Sequence, residues 1–225
     1  MNETWILLLL IITAALPVIF AFCWFRFKKS PFSLPWFLVA LVAGMISLLV
    51  AALFQNFIPP IRGQGGSFPV FFNIFFRVAF IEELSRIVIF ILLFRMLKHR
   101  KNMDAPFCAA VGLVTGLSFA MLESAFYGLT DVNITLLRAF TAAPLHAACG
   151  IRAGVAVFLF TRYPVKALFL FVFAVLIHGA YNMMIVSPAF PSALAILVAF
   201  TALFSSLPFL KAGDRESDNS SQVMN

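Results

Sequence analysis

Residues 68–97 read FPVFFNIFFRVAFIEELSRIVIFILLFRML. The run is longer than the ~20 residues an α-helix needs to cross a hydrocarbon core ~30 Å thick. Yet Glu82 and Glu83 stand side by side near its middle, with Arg86 just behind them. An ionised group turned to lipid at the bilayer centre costs about 2.5 to 3.5 kcal/mol, so these side chains face the inside of a protein. A single helix has no inside, and the run therefore predicts a bundle.

The rest of the chain supplies the partners. Of its 225 residues 63% are hydrophobic and 11% charged, and the mean hydropathy of +1.03 lies far outside the range of soluble domains. Apolar segments are predicted at about 5–25, 34–57, 70–97, 105–128, 137–160, 165–186 and 190–210. Between them lie Arg26, Lys28 and Lys29; Pro59, Pro60 and the glycines from Gly63 to Gly66; Lys98 to Lys101; Asp131; Arg162; and Pro188 and Pro191. The expected fold is an all-α, polytopic transmembrane bundle of about seven helices in one domain, residues 1–210. Residues 211–225, polar and without periodicity, are expected to form a disordered cytoplasmic tail. In the third segment the opening FPVFFNIFF reads as a short interfacial stretch, with the crossing itself starting near Arg77.

Charge fixes the expected orientation. With the N-terminus outside, the inner joints hold Arg26, Lys28, Lys29, Lys98, Arg100, Lys101, Arg162, Lys166, Lys211 and Arg215, while the outer ones hold chiefly Arg62. The C-terminus is then cytoplasmic and the protein a multi-pass protein of the cell membrane. The net charge of +7 needs no nucleic-acid partner, because anionic lipid accounts for a basic inner face. The first segment lacks a positive start and reads as a retained helix rather than a signal peptide. Cys23, Cys108 and Cys149 show no CxxC spacing and indicate neither a disulfide framework nor a thiolate metal site.

Ionisable groups recur inside four segments. Glu82, Glu83 and Arg86 share the third, where spacings of three and four place the arginine beside both carboxylates. The fourth holds GLVTGLSFAMLESAFYG, in which Gly112, Gly116 and Ala120 form a ridge of small residues suited to close helix approach, and Glu123 continues it. In RAFTAAPLHAACGIRAG of the fifth, His146, Gly150 and Gly154 form one stripe; this is the segment that Pro144 interrupts. In HGAYN of the sixth, His178 and Asn182 share a face. If the fourth helix exits near Gly128, Glu123 lies ~8 Å below the outer boundary. Arg77 and Arg138 mark that boundary on neighbouring helices, so Glu82, Glu83, Glu123, His146 and His178 are expected to meet at one depth in a single pocket.

Three chemistries suit such a pocket. One carboxylate of the pair can act as a base toward water while Arg86 holds its neighbour ionised, and His146 or His178, with Asn182, can stabilise an oxyanion, as peptide hydrolysis requires. Glu82, Glu83, Glu123, His146 and His178 also include the ligand types of a zinc site, although no HExxH is present. A third possibility is a proton relay in a transporter or sensor. A buried ion pair that merely orients helices explains Arg86 with one glutamate and leaves the second without a role. Adjacent helical residues point about 100° apart, which makes it hard for Glu82 and Glu83 to chelate one ion together. This favours a cofactor-free glutamate mechanism with one of them as base, His146 as oxyanion donor and Glu123, His178 and Asn182 as supports.

EELSR, FAMLESAFYG, RAFTAAPLHAACG and HGAYN, in that order on successive helices, resemble the motifs of the PrsW family of bacterial intramembrane proteases, relatives of the CAAX-processing and bacteriocin-processing membrane proteases. The resemblance covers about residues 78–184. It implies that the family's paired glutamates are Glu82 and Glu83, its second glutamate motif falls on Glu123, its histidines are His146 and His178, and the polar partner of the last is Asn182. Two positions depart from the pattern: Arg86 stands where lysine is common and Ser124 where asparagine is common, which changes the geometry of one cation and removes one amide. The resemblance implies a protease that cuts membrane-anchored proteins, anti-sigma factors among them, with zinc as the alternative to a purely glutamic mechanism.

Overall fold

The computed structural model describes residues 3–28, 32–61, 67–96, 103–129, 132–187 and 189–211. Lys29, Arg62, Gly63 to Gly66, Lys98 to Lys101, Asp131, Pro188 and the expected tail beyond Lys211 fall outside those residues.

Each predicted apolar segment forms helix. In chain order these are α1 (Glu3–Phe27), α2 (Leu34–Phe57), α3 (Ser67–Phe72), a π-helical stretch (Asn73–Phe80), α4 (Ile81–Met96), α5 (Ala105–Gly128), α6 (Val132–Leu159), α7 (Pro164–Val186) and α8 (Ser192–Ser206), which ends in a 3-10 turn (Leu207–Leu210). Six of these rods are long and apolar enough to cross a membrane: Leu8–Phe27, Leu34–Phe57, Ala105–Gly128, Leu137–Leu159, Pro164–Val186 and Ala193–Leu210. The protein is thus a multi-pass, all-α bundle. The rod made of α3, the π stretch and α4 misses that criterion because Arg77, Glu82, Glu83, Arg86 and Arg95 lie along it. It runs unbroken from Ser67 to Met96, so the stretch ahead of Arg77 is helical and continuous with α4. Pro17 lies inside α1 as Pro144 lies inside α6, so the fifth segment is not alone in carrying a mid-helix proline.

Burial shows which helices form the centre. In α5 and α6, 67% and 78% of the apolar window is covered by protein, against 22% in α7 and in α8. The reason is written in the glycines. A Cβ on Gly116 would stand 2.0 Å from the carbonyl oxygen of His146, one on Gly112 would stand 2.2 Å from that of Gly150, and one on Gly154 would stand 2.3 Å from that of Cys108. Without side chains at these points the two backbones touch, which is how helices associate where lipid removes the hydrophobic drive between them.

Hydroxyl groups fasten the outer helices to this pair. Thr115 Oγ1 donates to the carbonyl of Ala40 at 3.1 Å and Ser118 Oγ to that of Leu41 at 2.5 Å, joining α5 to α2. Ser85 Oγ lies 2.9 Å from the carbonyl oxygen of Ser47 and joins α4 to α2. The buried guanidinium of Arg152 on α6 donates to the Ala202 carbonyl and to Ser205 Oγ, pinning the C-terminal end of α8, where its charge also meets the negative end of the helix dipole.

Candidate active site

Glu82 and Glu83 enter the bundle at the first turn of α4, directly after the π stretch. A π turn takes more residues than an α turn, so it rotates the face that Ile81 and its successors present; such insertions are frequent at functional sites. The neighbouring carboxylates diverge, as helical geometry requires, and both are nevertheless buried because α4 has protein on both sides. Glu83 turns to α7 and to its own Arg86, while Glu82 lies between α7 and α2.

A continuous polar chain results. Arg138 NH2 donates to Glu123 Oε2 at 2.6 Å, and the same oxygen lies 3.0 Å from His146 Nε2. His146 Nδ1 lies 3.3 Å from Arg86 NH2, and Arg86 NH1 donates to Glu83 Oε2 at 2.5 Å. Glu83 Oε1 lies 2.8 Å from His178 Nδ1, and His178 Nε2 stands 3.6 Å from Glu82 Oε2. Glu82 Oε1 accepts from Gln55 Nε2 at 3.3 Å, which closes the chain on α2. The imidazoles of His146 and His178 meet edge to face with centroids 4.9 Å apart. Phe119 stacks on His146 and lies under the Arg86 guanidinium, sealing the cluster on the α5 side.

The partners assign the imidazole protons. An arginine only donates, so His146 Nδ1 accepts and its Nε2 carries the proton given to Glu123. Carboxylate oxygens accept, so His178 Nδ1 donates to Glu83, and His178 Nε2 is directed at Glu82 Oε2. The 3.6 Å gap is too long for a hydrogen bond, and Glu82 Oε2 is buried without a hydrogen-bond partner among the described residues. Glu83, held at both oxygens, is committed to orientation; Glu82 has one oxygen free. With all three carboxylates ionised against two guanidinium groups, the cluster carries one uncompensated negative charge, which a proton on Glu82 or His178, or a bound cation, neutralises.

The structure thus brings together Glu82, Glu83, Arg86, Glu123, His146 and His178 from α4, α5, α6 and α7. Asn182, half-buried one turn beyond His178, has no hydrogen-bond partner among the described residues. Sequence reasoning missed Gln55, whose only signal was that it and Asn56 are two amides at the end of an otherwise apolar segment, and it read Arg138 as a boundary marker rather than as the partner of Glu123.

Residues 33–207 match the family model of the PrsW family intramembrane metalloproteases, most of the chain and every helix that contributes a residue to this site. The chain belongs to the PrsW family. No curated protein and no solved structure matches it. As a PrsW-family protein it is an intramembrane protease of the multi-pass type, whose substrates are membrane-anchored proteins in the bilayer.

The family's description raises the question of a metal, and the residues present fit one. Glu82, His146 and His178 each offer a ligand atom within 4.8 Å of the others. Two ligands of a tetrahedral zinc lie roughly 3.3 Å apart, close to the spacing of Glu82 Oε2 and His178 Nε2 at 3.6 Å. The hydrogen bond from His178 Nδ1 to Glu83 is the carboxylate support that metal-binding histidines usually have. His146 joins such a set only by giving up Glu123 or Arg86, since each of its nitrogens already has a partner.

Proposed function

We propose that this PrsW-family protease hydrolyses peptide bonds of membrane-anchored proteins, anti-sigma-factor-like substrates among them, with Glu82 as the base that activates water. The observation that carries this reading is the unpartnered Glu82 Oε2 facing His178 Nε2 across 3.6 Å. A water held beside these two atoms donates a proton to Glu82 Oε2, which leaves a lone pair on its own oxygen free for a carbonyl carbon. As it attacks, one proton passes to Glu82 and the scissile C–N bond then breaks with a proton returned from Glu82 to the leaving amine. Glu83 keeps His178 in the required tautomer and holds Arg86 in place, as a second carboxylate does for a catalytic imidazole elsewhere. Arg86 supplies positive charge beside the developing oxyanion.

His146 is expected to act as oxyanion donor through its Nε2 proton, released from Glu123 when substrate enters. Arg138 then compensates Glu123 by itself. Asn182, on the face of His178, is available to a substrate backbone. A second reading rests on the clustering of Glu82, His146 and His178: these three residues would hold a divalent ion, which would supply Lewis acidity and acidify a bound water.

The test is cleavage of single-pass membrane proteins by the purified protein in liposomes, comparing wild type with Glu82→Gln. The expected loss is about 10²- to 10⁴-fold in turnover, the contribution of a positioned general base. Equal turnover by both would sink the assignment of Glu82.

A further inference from the structure

We infer that Gln55 is a positioning residue for the base: its amide fixes the Glu82 carboxylate and so selects Oε2 as the oxygen that meets water. The inference rests on the reading of Glu82 as base. Gln55 Nε2 donates to Glu82 Oε1 at 3.3 Å, and no other hydrogen bond to either Glu82 oxygen is present among the described residues. A carboxylate joined to its helix by two methylene groups turns freely about its last torsion. One directed donor on one oxygen is enough to stop that rotation and to aim the other.

Gln55 is itself held by a device at the end of α2. Arg77, in the π stretch, donates from NH2 to the Gln55 carbonyl at 3.2 Å and from Nε to the Ile58 carbonyl at 2.7 Å. These carbonyls belong to the last turn of α2 and to its C-cap, where backbone acceptors lack intrahelical donors. One turn earlier on the same stretch, the amide of Asn73 pairs with both backbone groups of Ile61: its Nδ2 donates to the carbonyl and its Oδ1 accepts from the N–H. The last turn of α2 and the segment after it are thus fastened at three residues, Gln55, Ile58 and Ile61, to the π stretch that precedes Glu82 and Glu83. A shift of the α4 entry carries the Gln55 backbone with it, so the amide and the carboxylate keep their register. Gln55 touches Glu82 rather than the site of the attacked carbonyl, and it acts through that residue.

The experiment measures cleavage kinetics in liposomes for wild type, Gln55→Met, Glu82→Asp and the double variant, with Glu82→Gln as the reference for loss of the base. Methionine keeps the length and packing of glutamine without its donor. Gln55→Met is expected to lower kcat by roughly 10- to 100-fold, by analogy with the loss of a partner that orients a metal-ligating side chain, with KM little changed. Glu82→Asp withdraws the carboxylate from the amide, so adding Gln55→Met to it is expected to cost less than twofold further; such non-additivity marks direct coupling. A raised KM with kcat unchanged, or full additivity in the double variant, would overturn the inference. If Gln55→Met does not accumulate, Gln55→Asn, which draws the same amide back by one methylene, is expected to show the same kcat-selective loss, and wild-type kcat would count against the proposal. An inactive Glu82→Gln beside a fully active Gln55→Met leaves the base in place and removes Gln55. An active Glu82→Gln removes both.

Discussion

Glu82 and Glu83 are adjacent in sequence and opposite in what their removal is expected to do. Glu83 neutralises the fully buried Arg86 and holds His178. Glu83→Gln leaves that guanidinium without its carboxylate, a change that costs about 3 to 5 kcal/mol when a buried pair is broken. It is expected to lower the melting temperature in detergent and to abolish cleavage together. Glu82 Oε2 has no partner to lose, so Glu82→Gln is expected to abolish cleavage while its melting temperature stays at or above the wild-type value. Equal destabilisation by the two would reverse the assignment of roles. The same residues separate the two hydrolytic readings. A carboxylate base accepts no proton once protonated, so cleavage is expected to fall on acidification and to survive a strong chelator. Complete loss on chelation, restored by zinc alone, would instead make Glu82, His146 and His178 ligands.

Helix packing sets how finely the site is placed. His146 owes its position to Gly116, because the α5 backbone lies against the His146 carbonyl and a Cβ there would stand 2.0 Å from it. A methyl group at this point presses on backbone, which yields less readily than a side chain. Gly116→Ala is expected to cost about 1 to 3 kcal/mol, the range for overpacking, and to reduce cleavage further by moving His146 away from Glu123. Unchanged melting and unchanged activity in Gly116→Ala would show that the helices tolerate separation here. The π stretch works at the same scale: it turns the two glutamates inward and places Asn73 and Arg77 on the end of α2. Arg77 is therefore a cap for its neighbour.

For the molecule as a whole, the orientation expected from the basic joints has the N-terminus outside and the site in the outer half of the bilayer. A cysteine introduced at position 64, after replacement of the exposed Cys23, is expected to react with a membrane-impermeant maleimide from the outer side only. Labelling from the cytoplasmic side alone would invert the topology and put the site near the inner leaflet. The bundle also explains how so many charges are tolerated. Glu83 and Glu123 are each paired with a guanidinium, Arg86 and Arg138, which replaces the lipid penalty by paired electrostatics.

The all-α membrane bundle, its segment boundaries to within a few residues, and the list of ionisable groups that meet inside it were legible without coordinates. Hydropathy follows from the cost of exposing backbone and charge to lipid, a penalty each segment pays on its own. The ridge of Gly112 and Gly116 was legible for the same reason: small residues at helical spacing predict contact whatever the partner. Which atom meets which was not. That Arg86 bridges Glu83 and His146, that Glu82 keeps one oxygen free, and that Gln55 reaches it from α2 depend on the rotation of α4 after a π turn and on a contact 27 positions apart in the chain. A local pattern carries no information about a rotation set by packing, and an amide at the end of an apolar helix looks the same whether it meets a carboxylate or water.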